Sequence, residues 1–91
     1  MKKITFENVD YELVKDYRDA FNEEDLLGRM SDYFITYDYI VGDYAYNKLR
    51  LKGFYDNKNK AVKELNNFKL VDDYLKNNCA VDCRHFILKK L

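Results

Sequence analysis

Apolar and polar positions alternate most clearly at Leu49-Arg50-Leu51-Lys52, where Leu49 and Leu51 fall on one side of an extended chain and Arg50 and Lys52 on the other. That is the period of a half-buried strand. Upstream, Tyr39-Ile40-Val41 is a β-favouring run between Asp38 and the breaker pair Gly42-Asp43, which predicts a strand ending at Gly42. Asp43 to Asn47 is too short a link for a parallel crossover, so the two arms form an antiparallel hairpin within residues 37–55. Gly53, with no side chain to pack, marks a bulge or the close approach of another backbone.

Before the hairpin, Lys3 to Phe6 and Tyr11 to Val14 carry β-favouring types on either side of Asn8-Val9-Asp10, which predicts a small N-terminal hairpin. Tyr11, Val14, Tyr17, Arg18 and Phe21 also fit helical spacing, so a helix over 11–21 is the alternative. A helix is then expected from Glu23 to Thr36. Asn22 can cap it, Glu23, Glu24 and Asp25 suit its first turn, and Phe21 can staple onto Leu26. Leu26, Leu27, Met30, Tyr33, Phe34 and Tyr37 recur at three- and four-residue steps, the face that should lie on the sheet. Gly28 inside it costs about 1 kcal/mol relative to Ala.

After the hairpin, residues 56–60 read as an exposed polar loop, and Ala61 to Lys69 fits either a helical turn or irregular chain. Leu70 to Asn78 reads as a short helix with Leu70, Val71, Tyr74 and Leu75 on one side. Phe86-Ile87-Leu88 reads as a last strand added to the sheet. The expectation is one α+β domain over residues 1–91: a small antiparallel sheet built on a central β-hairpin, packed by one amphipathic helix, with a second short helix before a C-terminal strand.

Composition narrows the functional classes. At 91 residues the chain makes one domain, burying roughly 60–65% of the surface that its unfolded form exposes. Lys plus Arg and Asp plus Glu are both 16, so there is no global pull on nucleic acid or anionic lipid, and such a partner would need a local basic face. The N-terminal residues lack the apolar run of a signal peptide and no stretch reaches membrane-span length, which points to the cytoplasm, no membrane association and reduced thiols. Pro and Trp are absent while Lys, Asn, Tyr, Phe and Ile are abundant. This is the usage of an A- and T-rich coding sequence, so tyrosine richness alone is weak evidence of a binding surface.

The run Y-D-Y-I-V-G-D-Y-A-Y-N-K-L-R-L-K-G-F-Y at 37–55 closely resembles the central motif of the YutD-like proteins, a family from Gram-positive bacteria with the pattern Y-D-Y-I-V-G-D-W-G-Y followed by Q-L-R-L-K-G-F. Asp73-Tyr74-Leu75, Cys79, Cys83 and Phe86-Ile87-Leu88 are similar to the family's D-Y-L, C-x-x-x-C and F-V-L. Tyr44 and Ala45 stand where the pattern has Trp and Gly, and Arg84-His85 departs from it as well. Relatives run on into a basic tail where this chain stops at Leu91, which counts against a nucleic-acid role resting on such a tail. The resemblance implies a shared fold and brings no activity, ligand or catalytic residues with it.

Three kinds of chemistry remain as candidates. Tyr44, Tyr46, Lys48, Arg50 and Lys52 bring aromatic and basic residues together on the hairpin. Such a surface would meet a protein partner or, less favoured, stack bases and neutralise phosphates of single-stranded nucleic acid as a transcriptional regulator. The competing reading is that these rings fill the helix-to-sheet core. Cys79, Cys83 and the lone His85 carry metal-ligand and redox types, yet one loose pair and one His fall short of a four-ligand zinc site, and packing under the last strand competes. Scattered Asp residues form no recognisable acid–base pair, and phosphate loops and nucleophile elbows are absent. The chain is therefore expected to be a non-enzymatic binding or regulatory module without a cofactor, its oligomeric state open.

Overall fold

The computed structural model describes residues 2–45, 48–78 and 84–91. Glu7 and Asn8 both take positive φ (53° and 66°), the mirror-image turn whose twist suits a two-residue hairpin loop. They join β1 (Lys3–Phe6) to β2 (Val9–Tyr17). The strand reading of Tyr11 to Val14 therefore holds over the helix alternative for 11–21, and the strand runs on to Tyr17. Strand β2 is paired on both sides, with a register shift between Leu13 and Lys15, and alternation puts Tyr11 and Leu13 on one face of the sheet and Val14 on the other.

The expected helix from Glu23 to Thr36 is broken in two. Helix α1 (Glu23–Arg29) is capped by Asn22, whose side-chain oxygen accepts from the Asp25 N–H at 3.0 Å. Met30 then leaves helical geometry (φ −69°, ψ 147°) while its N–H still donates to Leu26 O, and Ser31 opens α2 (Asp32–Ile35) from an extended conformation. Gly28, with open space around it, contributes neither propensity nor packing to hold a longer helix. The break turns Leu26, Met30 and Phe34 onto the sheet and leaves Leu27 and Tyr33, both assigned by spacing to the packed face, 42% and 65% exposed.

Strands β3 (Tyr39–Ala45) and β4 (Lys48–Phe54) form the central hairpin in unbroken register from Tyr39↔Phe54 to Ala45↔Lys48. Strand β3 does not stop at Gly42-Asp43 as the breaker pair led us to expect. A Cβ at Gly42 would lie 2.2 Å from the Phe86 ring, so glycine is there to admit that ring. Gly53 is likewise no bulge, and what approaches it is the Tyr37 ring, 2.1 Å from a would-be Cβ, rather than another backbone.

Two 3-10 turns (Glu64–Asn66 and Phe68–Leu70) fill the segment that was open between helix and irregular chain, and α3 (Val71–Asn78) follows. The last strand, β5 (His85–Lys90), enters the middle of the sheet, giving the order β1-β2-β5-β3-β4 with every pairing antiparallel. That position explains three consecutive apolar residues. Phe86 and Leu88 face the α1–α2 side and Ile87 the other, all buried because both faces are covered. Burying each contributes about 1.5–3 kcal/mol. On the first face Leu26 and Met30 lie in one core with Ile4, Tyr11, Ile40, Leu49, Phe86 and Leu88. On the second, Val71, Tyr74, Leu75 and Phe68 pack with Val41, Phe54 and Ile87, and Tyr39 stacks on Phe68 at 3.6 Å. Helix α3 thus covers the sheet face opposite α1 and α2.

Candidate functional site

Strand alternation puts Tyr39, Val41 and Asp43 on the face that meets α3, and carries the Asp43 carboxylate to 1% exposure. A buried carboxylate needs donors. Arg50, directly opposite on β4, supplies them: its Nε donates to Oδ1 at 3.1 Å and its Nη2 to Oδ2 at 2.7 Å. This two-pronged pairing holds the proton on Arg50 more tightly, chiefly through the hydrogen bond to Asp43, although the Arg50 side chain is 46% exposed. On the other side of Asp43 lies His85 of β5, itself buried, and opposite His85 lies Tyr17 of β2, its ring stacked on the imidazole at 5.0 Å. A polar row, Arg50–Asp43–His85–Tyr17, thus crosses four strands. Tyr74 of α3 packs beside it, its hydroxyl pKa raised by burial and then by Asp43. Sequence reasoning missed Asp43 as the centre of this row. The available signal was its parity with Tyr39 and Val41, which marks an inward position.

Of the five hairpin residues singled out for partner binding, the four that are described have different surroundings. Tyr44 points to the α1 face, where its hydroxyl donates to Asp25 Oδ2 at 2.9 Å and its ring lies 4.6 Å from the Arg84 guanidinium. Burial, then the bond to Asp25, raises its pKa. Tyr46 lies outside the described residues. Arg50 is engaged by Asp43, and Lys52 lies over the Phe54 and Tyr74 rings at 5.3 and 5.6 Å. Lys48 is exposed at the mouth of the hairpin. Of the redox or metal candidates, Cys79 and Cys83 also lie outside the described residues, and His85 belongs to the polar row. Among the described residues no three His, Cys, Asp or Glu side chains gather as metal ligands.

What β4 does present is an edge. It is the last strand of the sheet, and a groove of about 350 Å³ runs along Arg50, Leu51, Lys52 and Gly53. Tyr33, Phe34 and Tyr37 wall it on one side and Tyr74 on the other. The Tyr33 and Tyr37 hydroxyls are 2.8 Å apart, and that bond, followed by burial, pushes the Tyr37 pKa up to about 12. The groove's charged lining is Arg50 and Lys52, with no carboxylate.

A five-stranded antiparallel sheet with helices on both faces defines a small α+β domain. Residues 5–89 match the model of the family described as "Putative antitoxin YutD-like", and the chain belongs to that family. It is 41% identical over 88 residues to the Bacillus subtilis (strain 168) protein named "Putative antitoxin YutD", covering 97% of each chain. Its fold matches the solution NMR structure of protein yutD from B. subtilis with a TM-score of 0.84 and 40% identity, over 100% of this chain and 83% of that one. No helix among the described residues is long and apolar enough to cross a membrane.

Proposed function

We propose that this chain is a non-enzymatic binding module that holds a protein partner along the β4 side of the central hairpin. The observation that carries the reading is the groove at Arg50 to Gly53, lined by tyrosines and cations on an edge strand. Tyrosines gathered in a partly closed groove are among the residues from which protein hot spots are built. The name of the B. subtilis relative, "Putative antitoxin YutD", fits a protein that acts by occupying another. Base stacking is the weaker reading, since Tyr39 is stacked on Phe68 and Tyr44 is tied to Asp25. The partner-facing set is accordingly Lys48, Lys52 and the groove tyrosines, with Arg50 mainly structural.

Genetic depletion in the native cell tests the proposal. Loss of an antitoxin should arrest growth, inactivation of one second gene should relieve the arrest, and the wild-type chain should complement. A Lys48→Glu, Lys52→Glu variant that folds normally should fail to complement. Full complementation by that variant would remove these cations from the function.

A further inference from the structure

Resting on that reading, we infer that the open edge of β4 takes up an extended, acidic segment of the partner as a sixth strand of the sheet. The chain itself begins this addition. Beyond the end of β4 the Tyr55 N–H donates to Asn66 O at 2.7 Å and the Phe68 N–H donates to Tyr55 O at 2.9 Å, an isolated parallel bridge between Tyr55 and Asn67. The Tyr55 backbone groups therefore point away from β3, while the Phe54 carbonyl points toward it and accepts from the Asp38 N–H. Two-residue alternation carries the same outward direction to Gly53, Leu51 and Leu49, of which Leu51 is half-buried and Gly53 and Leu49 are buried by the groove walls and the core on either side of the edge. The covering segment turns away into a 3-10 helix at Phe68, and among the described residues nothing pairs with β4 further along. The opposite edge, β1, is only 4 residues long against 7 for β4.

Charge selects the occupant. Two copies of β4 pairing antiparallel about Arg50 would set Lys48 against Lys52 and Arg50 against itself, and like charges directly opposite one another are destabilising. Lysines on an edge strand guard against self-association in this way. A strand carrying carboxylates on one face meets Lys48 and Lys52 favourably. Its other face lies toward Tyr33 and Tyr37, in a groove whose lining has no competing acid. Main-chain bonds would supply affinity and the cations the selection.

The probe is a synthetic eight-residue peptide alternating valine and glutamate, with lysine replacing glutamate in the control, titrated into the ¹⁵N-labelled full chain. The expected result is saturable binding of the acidic peptide alone, with slowed amide exchange at Leu49, Leu51 and Gly53 and about tenfold weaker binding by Lys48→Glu, Lys52→Glu. Binding that leaves those three amides unprotected, no saturable binding, or equal binding of the lysine peptide would each overturn the inference. So would protection of the same amides by the chain's own dimerisation in the absence of peptide. Growth complementation separates the two proposals. If the double variant fails to complement while the edge stays unprotected, partner binding stands and strand addition falls; if it complements while the edge is protected, the proposed function falls and the inference that rests on it falls with it, leaving only peptide binding at the edge.

Discussion

Replacing Arg50 by Ala removes both donors from a carboxylate that is 1% exposed. Breaking a fully buried pair by deleting one partner costs about 3–5 kcal/mol. Here the Arg50 side chain is 46% exposed, so water can reach the vacated position and recover part of that loss. We expect about 2–3 kcal/mol for Arg50→Ala, and about 1 kcal/mol for Asp43→Asn, which removes the charge but keeps an acceptor. The double variant should be less destabilised than the sum of the two by about 1–2 kcal/mol, because its asparagine carries no stranded charge. Urea denaturation followed by circular dichroism measures all three, and in a domain of this size the Arg50→Ala loss corresponds to a Tm decrease of roughly 10–20 °C. If Arg50→Ala costs less than about 0.5 kcal/mol, or the two substitutions simply add, the pair is not structural and Arg50 returns to the surface cations. The outcome matters for function as well: a charge reversal at Arg50 would confuse unfolding with lost binding, so Lys48 and Lys52 are the informative positions.

Gly42→Ala and Gly53→Ala create nearly equal overlaps, 2.2 Å and 2.1 Å from a ring carbon, but Phe86 is wholly buried in the central strand whereas the Tyr37 ring is only half-buried. Thermal melts should therefore show a larger loss for Gly42→Ala, about 2–3 kcal/mol, than for Gly53→Ala. Tyr11→Phe should raise stability by about 1 kcal/mol in urea titrations, because the buried Tyr11 hydroxyl has no hydrogen-bond partner among the described residues. The folded state holds the protons of Tyr37, Tyr11, Tyr44 and Tyr74 above their ordinary pKa of 10.0. Between pH 10 and about 12, the value for Tyr37, the native chain thus binds more protons than the unfolded one, so stability present below pH 10 is lost as pH rises through that window. Tyrosinate absorbance during alkaline unfolding should rise with the loss of structure; full titration near pH 10 before unfolding would contradict the assignment.

Local signals determined most of the elements. Alternation at Leu49 to Lys52 marked β4 and its two faces, the Asn22 cap with its acidic turn marked the start of α1, and three adjacent apolar residues marked β5. These depend on near neighbours along the chain, which sequence displays directly. What only the tertiary structure decided depends on partners far apart in sequence. Gly42-Asp43 has the appearance of a strand end because the reasons for its residues are remote: Phe86 explains the glycine, and Arg50 across the hairpin explains the aspartate. The helix break at Met30 interrupts a spacing that ran on to Tyr37, and the placement of β5 between β2 and β3 follows from pairing that no local pattern encodes. The same holds for the candidate site. Aromatic and basic residues were legible on the hairpin, but only pairing across strands separated Arg50, bound to its carboxylate, from Lys48 at the rim, and only the strand order made β4 an edge.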